Sequence, residues 1–292
     1  EVSVVQLVRQ SRDRVAANDL VGALQFARTA VAADPAYGDA WKQLGRIQML
    51  QGKYGEAFSS LKMAYDLKKH DEELYLWMVR AEVGSMLAAG RFDEATGVLE
   101  KVLKANPRKE EIRQMLAGIY ADRAAQEKGP EGAELLAKVV SLAPERGGAW
   151  RDLGWLYFSQ GKFEEAVEAW NRALQDRDLN RKALVEQTVG ALAEQRQLAL
   201  AKASYQRWQP DSSFLALGLR LIELNRLVAA GEILKMAWDS GEDRTISGFY
   251  LAYTESRTGA CQKVYEHLQP YSEKAAHDMD QKSLEVYTAT LH

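Results

Sequence analysis

The sequence predicts an all-α protein, a right-handed solenoid of about eight helical hairpins, and three observations carry the prediction. The first is composition. Of 292 residues, 47% are hydrophobic and only 6 are proline, and Ala, Leu, Glu, Lys, Arg and Gln dominate, so most of the chain can be helical at little intrinsic cost. The second is self-similarity. Ala40-Trp41-Lys42-Gln43-Leu44-Gly45 returns as Ala149-Trp150-Arg151-Asp152-Leu153-Gly154, and each block is followed by a second glycine, Gly52 or Gly161, then Lys53-Tyr54 or Lys162-Phe163. The third is a recurring turn. Asn18, Gly52, Gly90, Gly161, Asn225 and Gly259 are residues that tolerate a left-handed helix cap. Five positions after each comes Ala23, Ala57, Ala95, Ala166, Ala230 or, less well, Val264, where a small side chain lets two helices close together.

The period follows from the close-contact position of each first helix: Ser11, Gly45, Val83, Ala117, Gly154, Thr188, Gly218 and Ala252. The steps are 34, 38, 34, 37, 34, 30 and 34 residues, and those of 38 and 30 differ from 34 by four residues. That is about one helical turn, so the faces stay aligned. Pro35, Pro107, Pro144 and Pro210 fall where second helices must stop. Three places break the pattern: Gly129-Pro130-Glu131-Gly132 in the fourth unit, Gln195 to Gln209 in the sixth, and Pro270 in the eighth. The expected hairpins are 4–37, 38–71, 72–109, 110–146, 147–180, 181–210, 211–244 and 245–278, followed by a partial helix at 281–291, in one domain without linkers. Stacking buries the apolar face that no hairpin covers alone. Starting at Glu1 and ending just inside that last helix, the chain reads as a segment of something longer.

On these residues the chain resembles the tetratricopeptide repeat family over nearly its whole length. The resemblance implies that first helices line a concave surface on which other proteins dock. The corresponding places here are Arg12, Lys42, Arg46, Arg80, Arg151 and Trp155, with Phe158 continuing the stripe one turn on. Such a stripe suits an acidic segment, with arginines gripping carboxylates and Trp155 giving a flat contact. The competing reading is a solvated face whose charges neighbouring acids balance. Lys42 and Arg46 supply only the basic half of the family's carboxylate clamp, and no asparagine accompanies them. In the last two hairpins the stripe turns apolar, at Leu215, Leu219, Ile222, Phe249 and Tyr253, which implies a partner surface or a covering helix near Ser283 to Leu291.

Several function classes are excluded. A formal net charge of -3 leaves no global field for nucleic acid. Cys261 stands alone, so there is neither an intrachain disulfide nor a thiolate metal cluster, and its expected role is a small buried hydrophobe. No apolar run is long enough to span a bilayer, and the first residues lack a signal-peptide pattern. His70, His267, His277 and His292 are scattered without metal-ligand or nucleophile spacing. Glycines before Lys53 and Lys162 follow helices rather than strands, so they are caps and not phosphate loops. The pairs Glu72–Glu73, Glu110–Glu111 and Glu164–Glu165 read as solvated faces. The expectation is a non-catalytic scaffold with no cofactor or metal and with protein partners. In architecture it is similar to the periplasmic repeat regions of bacterial outer-membrane proteins that export exopolysaccharide, which implies a periplasmic site and a polysaccharide-modifying enzyme as partner. The alternatives are a cytoplasmic assembly factor or co-chaperone, the regulatory arm of an enzyme, and direct glycan binding.

Overall fold

The computed structural model describes residues 2–68, 70–127, 129–259, 264 and 266–268, and every regular element among them is a helix. Among the described residues fifteen α-helices follow one another, the first fourteen paired into hairpins. They are α1 (Val4–Ala16) with α2 (Leu20–Ala33), α3 (Gly38–Leu50) with α4 (Tyr54–Leu67), α5 (Glu72–Ala88) with α6 (Phe92–Ala105), and α7 (Glu110–Ala124) with α8 (Pro130–Leu142). There follow α9 (Gly147–Ser159) with α10 (Phe163–Ala173), α11 (Arg181–Glu194) with α12 (Leu198–Trp208), α13 (Phe214–Glu223) with α14 (Leu227–Ser240), and then α15 (Arg244–Thr258). Cys261, Pro270, His277, His292 and the helix expected at 281–291 lie outside the described residues.

The turns explain why the helices stop where they do. Asn18, Gly52, Gly90, Gly161, Asn225 and Gly259 all take positive φ, between 56° and 79°, the left-handed conformation a tight helix end requires. A seventh turn uses Arg196 at φ 57°, where composition offered no signal. A non-glycine residue is held there at a cost of roughly 1–2 kcal/mol, and the rest of the motif is intact: Ala201, five residues on, is fully buried like Ala23, Ala57, Ala95, Ala166 and Ala230. The fourth hairpin turns differently. Gly129, at φ 78° and ψ −145°, leads into Pro130 in the first turn of α8, where a missing N–H costs nothing.

The close-contact positions set the depth of packing within a hairpin. A Cβ on Gly45 would stand 2.6 Å from Leu61, one on Gly154 2.3 Å from Trp170, and one on Gly218 2.6 Å from Leu234. The partner lies sixteen residues later each time, so one geometric rule is written into three hairpins. Trp41 and Trp150 recur as a structural device as well: their indole N–H groups donate to the carbonyls of Pro35 at 2.9 Å and Pro144 at 3.0 Å, tying each hairpin to the loop before it.

The chain divides into two compact units, Glu1–Ile119 and Tyr120–His292, with the boundary inside α7. In the first, small alanines and Leu44, Ile47, Leu61 and Leu74 fill the spaces between hairpins, with Trp41, Phe58 and Trp77 packed over them. Polar side chains set the register of its first two hairpins: the Ser11 hydroxyl donates to the carbonyl of Ala23 and accepts from Gln43, and Ser60 donates to Gln48. The second unit has a larger core running from Ala166 and Trp170 to Leu251, with a smaller cluster of Phe249, Ala252, Val264 and Leu268. There Arg226 bridges hairpins, giving both Glu194 carboxylate oxygens a bond at 2.8 and 2.9 Å and the Gln187 carbonyl a third at 3.1 Å.

Candidate partner-binding groove

In the second unit the first helices α7 and α9 are separated by an open groove of about 690 Å³. One wall is the C-terminal turn of α7, with Ala121 and Ala124, and Ala125 just after it. The floor is Leu136 and Val139 of α8. The other wall is one face of α9, where Gly148, Ala149, Asp152, Trp155, Leu156 and Ser159 recur at helical spacing. Glu127 and Arg146 stand at its rim. Gly148, Ala149, Ala121, Ala124 and Ala125 contribute no more than a hydrogen or a methyl to the space.

Trp155 is fixed by what lies behind it. Its ring meets Trp170 edge-on at 4.9 Å and Phe158 at 5.7 Å, and Phe158 in turn meets Phe163 at 5.4 Å. Gly154 makes this possible, since it admits the Trp170 indole against the α9 backbone. Trp170 is fully buried, so Trp155 presents its remaining surface to the groove from a rigid support. Phe158 belongs to that support and does not line the groove.

Three cations of the first helices are paired with acids, two of them on the next first helix and one beside it on the same helix. Lys42 meets Glu73 at 2.5 Å, Arg80 meets Glu111 at 3.7 Å, and Arg151 lies 2.8 Å from Asp152. The Asp39 carboxyl is held below its ordinary range by the Lys68 hydrogen bond, with burial opposing and the Lys68 and Arg12 charges adding. Asp152 likewise holds the Arg151 guanidinium above its ordinary value. Arg12 and Arg46 are exposed. Lys42, Arg80 and Arg151 are thus ion-paired within the chain.

The apolar stripe of the last hairpins is divided between core and surface. Phe249 is 1% exposed and packs on Ala252, Val264 and Leu268, so it is a core residue and offers nothing to a partner. Of the two expectations for this stripe, a partner surface or a covered face, Phe249 takes the second and is corrected as a partner-surface residue: Val264 and Leu268 pack against it. Leu215, Leu219, Ile222 and Tyr253 are half-buried, and Leu215 and Ile222 lean on the main core. His267 is buried against α15 with its Nδ1 2.8 Å from Glu255 Oε2. Among the described residues no group of three or more His, Cys, Asp or Glu is placed to hold a metal ion, and no helix is long and apolar enough to cross a membrane.

The groove's alanine wall and its floor were missed by sequence reading, which found Trp155 alone. Ala121, Ala124 and Ala125 carry no chemical signal, and only the face of α9 has a legible period.

Residues 8–72 and 148–175 match models of the tetratricopeptide repeat. Among solved structures, the chain is similar to the MamA protein, at 21% identity over 59% of this chain and 90% of that one, with a TM-score of 0.43. It is similar to YrrB, described as a TPR protein with an unusual peptide-binding site, at 18% identity over 62% of this chain and 90% of that one, TM-score 0.41. A thermophilic TPR protein of Thermus thermophilus is 20% identical over 65% of this chain and 99% of that one, TM-score 0.35. No curated protein matches the chain.

Proposed function

We propose that these tetratricopeptide-type hairpins form a non-catalytic docking scaffold whose partner protein seats in the α7–α9 groove. Tetratricopeptide repeats generally mediate protein–protein interaction, and the observation that supports docking here is the groove itself. It is mostly apolar, and Trp155 on its wall is supported from behind by Trp170. Three of the five stripe cations, Lys42, Arg80 and Arg151, are already paired with Glu73, Glu111 and Asp152, which supports this place over the basic stripe.

The finer proposal is that the partner is a polysaccharide-modifying enzyme held at a bacterial envelope assembly, with the repeats in the periplasm. Its support is the long array of degenerate hairpins, the feature shared in outline with export proteins. A cytoplasmic assembly factor is the alternative. Both levels are tested by placing a photocrosslinking amino acid at exposed Ala125 and, as control, at exposed Val21, in the source cell. Adducts formed from position 125 and not from 21 support docking in the groove, and the captured protein's identity decides between envelope and cytoplasm. Identical adducts from both positions, or none, would refute the groove as a docking site.

A further inference from the structure

We propose that the first unit carries a binding site for a methylated or quaternary alkylammonium, in a pocket that shares no residue with the α7–α9 groove and does not depend on it. The pocket holds about 320 Å³ and is lined by Tyr65 of α4, His70 and Asp71 just before α5, Glu72 and Tyr75 of α5, and Lys109 just before α7. The Tyr65 and Tyr75 rings meet at 5.9 Å with their planes 51° apart, so they form a corner and not a stack.

The repeat explains why a ring is offered at this point. Tyr75 stands one period of 34 residues after Trp41. Trp41 and its counterpart Trp150 anchor their rings through the indole N–H, to the carbonyls of Pro35 and Pro144. A phenol lacks that N–H, and one face of the half-buried Tyr75 ring receives a cation: Lys109 Nζ lies over it, 5.0 Å from the centroid.

Lys109 is the observation that identifies the ligand, because it puts the chain's own alkylammonium in the pocket. Its ammonium rests on the ring and, among the described residues, makes no ion pair with Asp71 or Glu72. The negative face of a ring attracts positive charge but replaces little of the water that a primary ammonium binds through its N–H groups, whereas a methylated ammonium has little such water to lose. Charge in the lining adds to this preference. Asp71 and Glu72 set two carboxylates against the single ammonium of Lys109, an excess that repels anions and attracts a further cation. Asp71 is held in place by its Oδ1, which accepts the Leu74 N–H at 3.0 Å as the cap of α5, and Glu72 is exposed beside it. The space equals that of about ten liquid waters, room for a trimethylammonium head once the Lys109 side chain swings aside. Lys109 is therefore an internal competitor for the site.

The test titrates the whole chain by calorimetry with choline, with its uncharged isostere in which a tert-butyl group replaces the trimethylammonium, and with a short peptide carrying one trimethyllysine. Saturable binding of a cationic probe is expected, and none of the isostere. Lys109→Ala should tighten that binding by at least about threefold and Tyr75→Leu should weaken it by at least about tenfold, while Tyr75→Phe, which keeps the ring face, should stay within about twofold of wild type. Glu72→Lys, a change at an exposed position that leaves the core intact, should weaken it by at least about threefold. A peptide that binds tighter than choline supports the site as a reader of a partner's methylated lysine; choline that binds as tightly or tighter supports it as a site for a small ammonium. Failure of both cationic probes to bind Lys109→Ala, equal binding of the isostere, or an affinity unchanged in Tyr75→Leu would overturn the proposal and leave docking in the groove untouched.

Discussion

Gly154→Ala should destabilise the second unit by about 2 kcal/mol, against the usual effect of that change in a helix. In an exposed helix interior alanine is favoured over glycine by about 1 kcal/mol. Here the new Cβ would sit 2.3 Å from Trp170 Nε1 and 2.4 Å from Cδ1, so the indole must retreat by about 1 Å to reach ordinary contact. It has nowhere to go. Trp170 is fully buried, with Trp155 at 4.9 Å and Phe158 at 5.7 Å behind it. Overpacking of this kind costs up to about 3 kcal/mol, which leaves a net loss near 2 after the propensity gain. The control is Gly97→Ala on α6, where a Cβ meets nothing within 4 Å and the change should stabilise by about 0.5–1 kcal/mol. The assay is urea unfolding followed by tryptophan emission, with hydrogen exchange locating the loss, because hairpin arrays need not unfold in one step. A Gly154→Ala midpoint equal to or above wild type would refute the proposed close approach of α9 and α10.

Four further outcomes are expected. Arg226→Lys keeps the charge but loses the fork that grips Glu194 and the Gln187 carbonyl, so the second unit should lose about 1 kcal/mol in the same urea assay. Asp39 has its pKa lowered by Lys68; its contribution is present above the ordinary value of 3.8 and disappears as pH falls through the lowered one, so acid titration of Asp39→Asn should flatten stability of the first unit below about pH 4 relative to wild type. Asp176→Ala removes the acceptor bonded to the Gly147 N–H at 3.1 Å and should cost about 1 kcal/mol as a lost helix-start cap, read by hydrogen exchange in the first turn of α9. Arg12→Glu combined with Arg46→Glu should change the affinity of a groove ligand by less than about twofold at physiological salt, measured by calorimetry; a tenfold loss would return docking to the basic first helices.

Much of the fold was legible because hairpin geometry is local. A left-handed turn needs Gly or Asn, a close crossing needs a small residue at a set distance, and both requirements fall within one repeat; hence Gly52, Ala57, Gly45 and their counterparts could be found by eye. Arg196 escaped because tertiary packing holds it where its own preference would not. Phe249 escaped because periodicity places a residue on a face and is silent on what covers that face.

The site was less legible for the same reason. Trp155 was found because an aromatic stands out on α9, whereas the groove before it depends on three alanines at the end of α7 and just beyond it, and on how far two hairpins stand apart. A vacancy is a relation between surfaces distant in sequence, and no residue announces it. Pairing of the first-helix cations is of this kind too: Lys42 and Glu73 are thirty-one residues apart, and whether the lysine greets a ligand or a neighbour depends on the stacking of α3 against α5. The sequence by itself determined the helical-hairpin class and six of its turns, since these rest on short-range sterics. Tertiary structure alone decided where apolar surface is left open and which charges are already satisfied, since both depend on the separation of elements that the chain brings together only when folded.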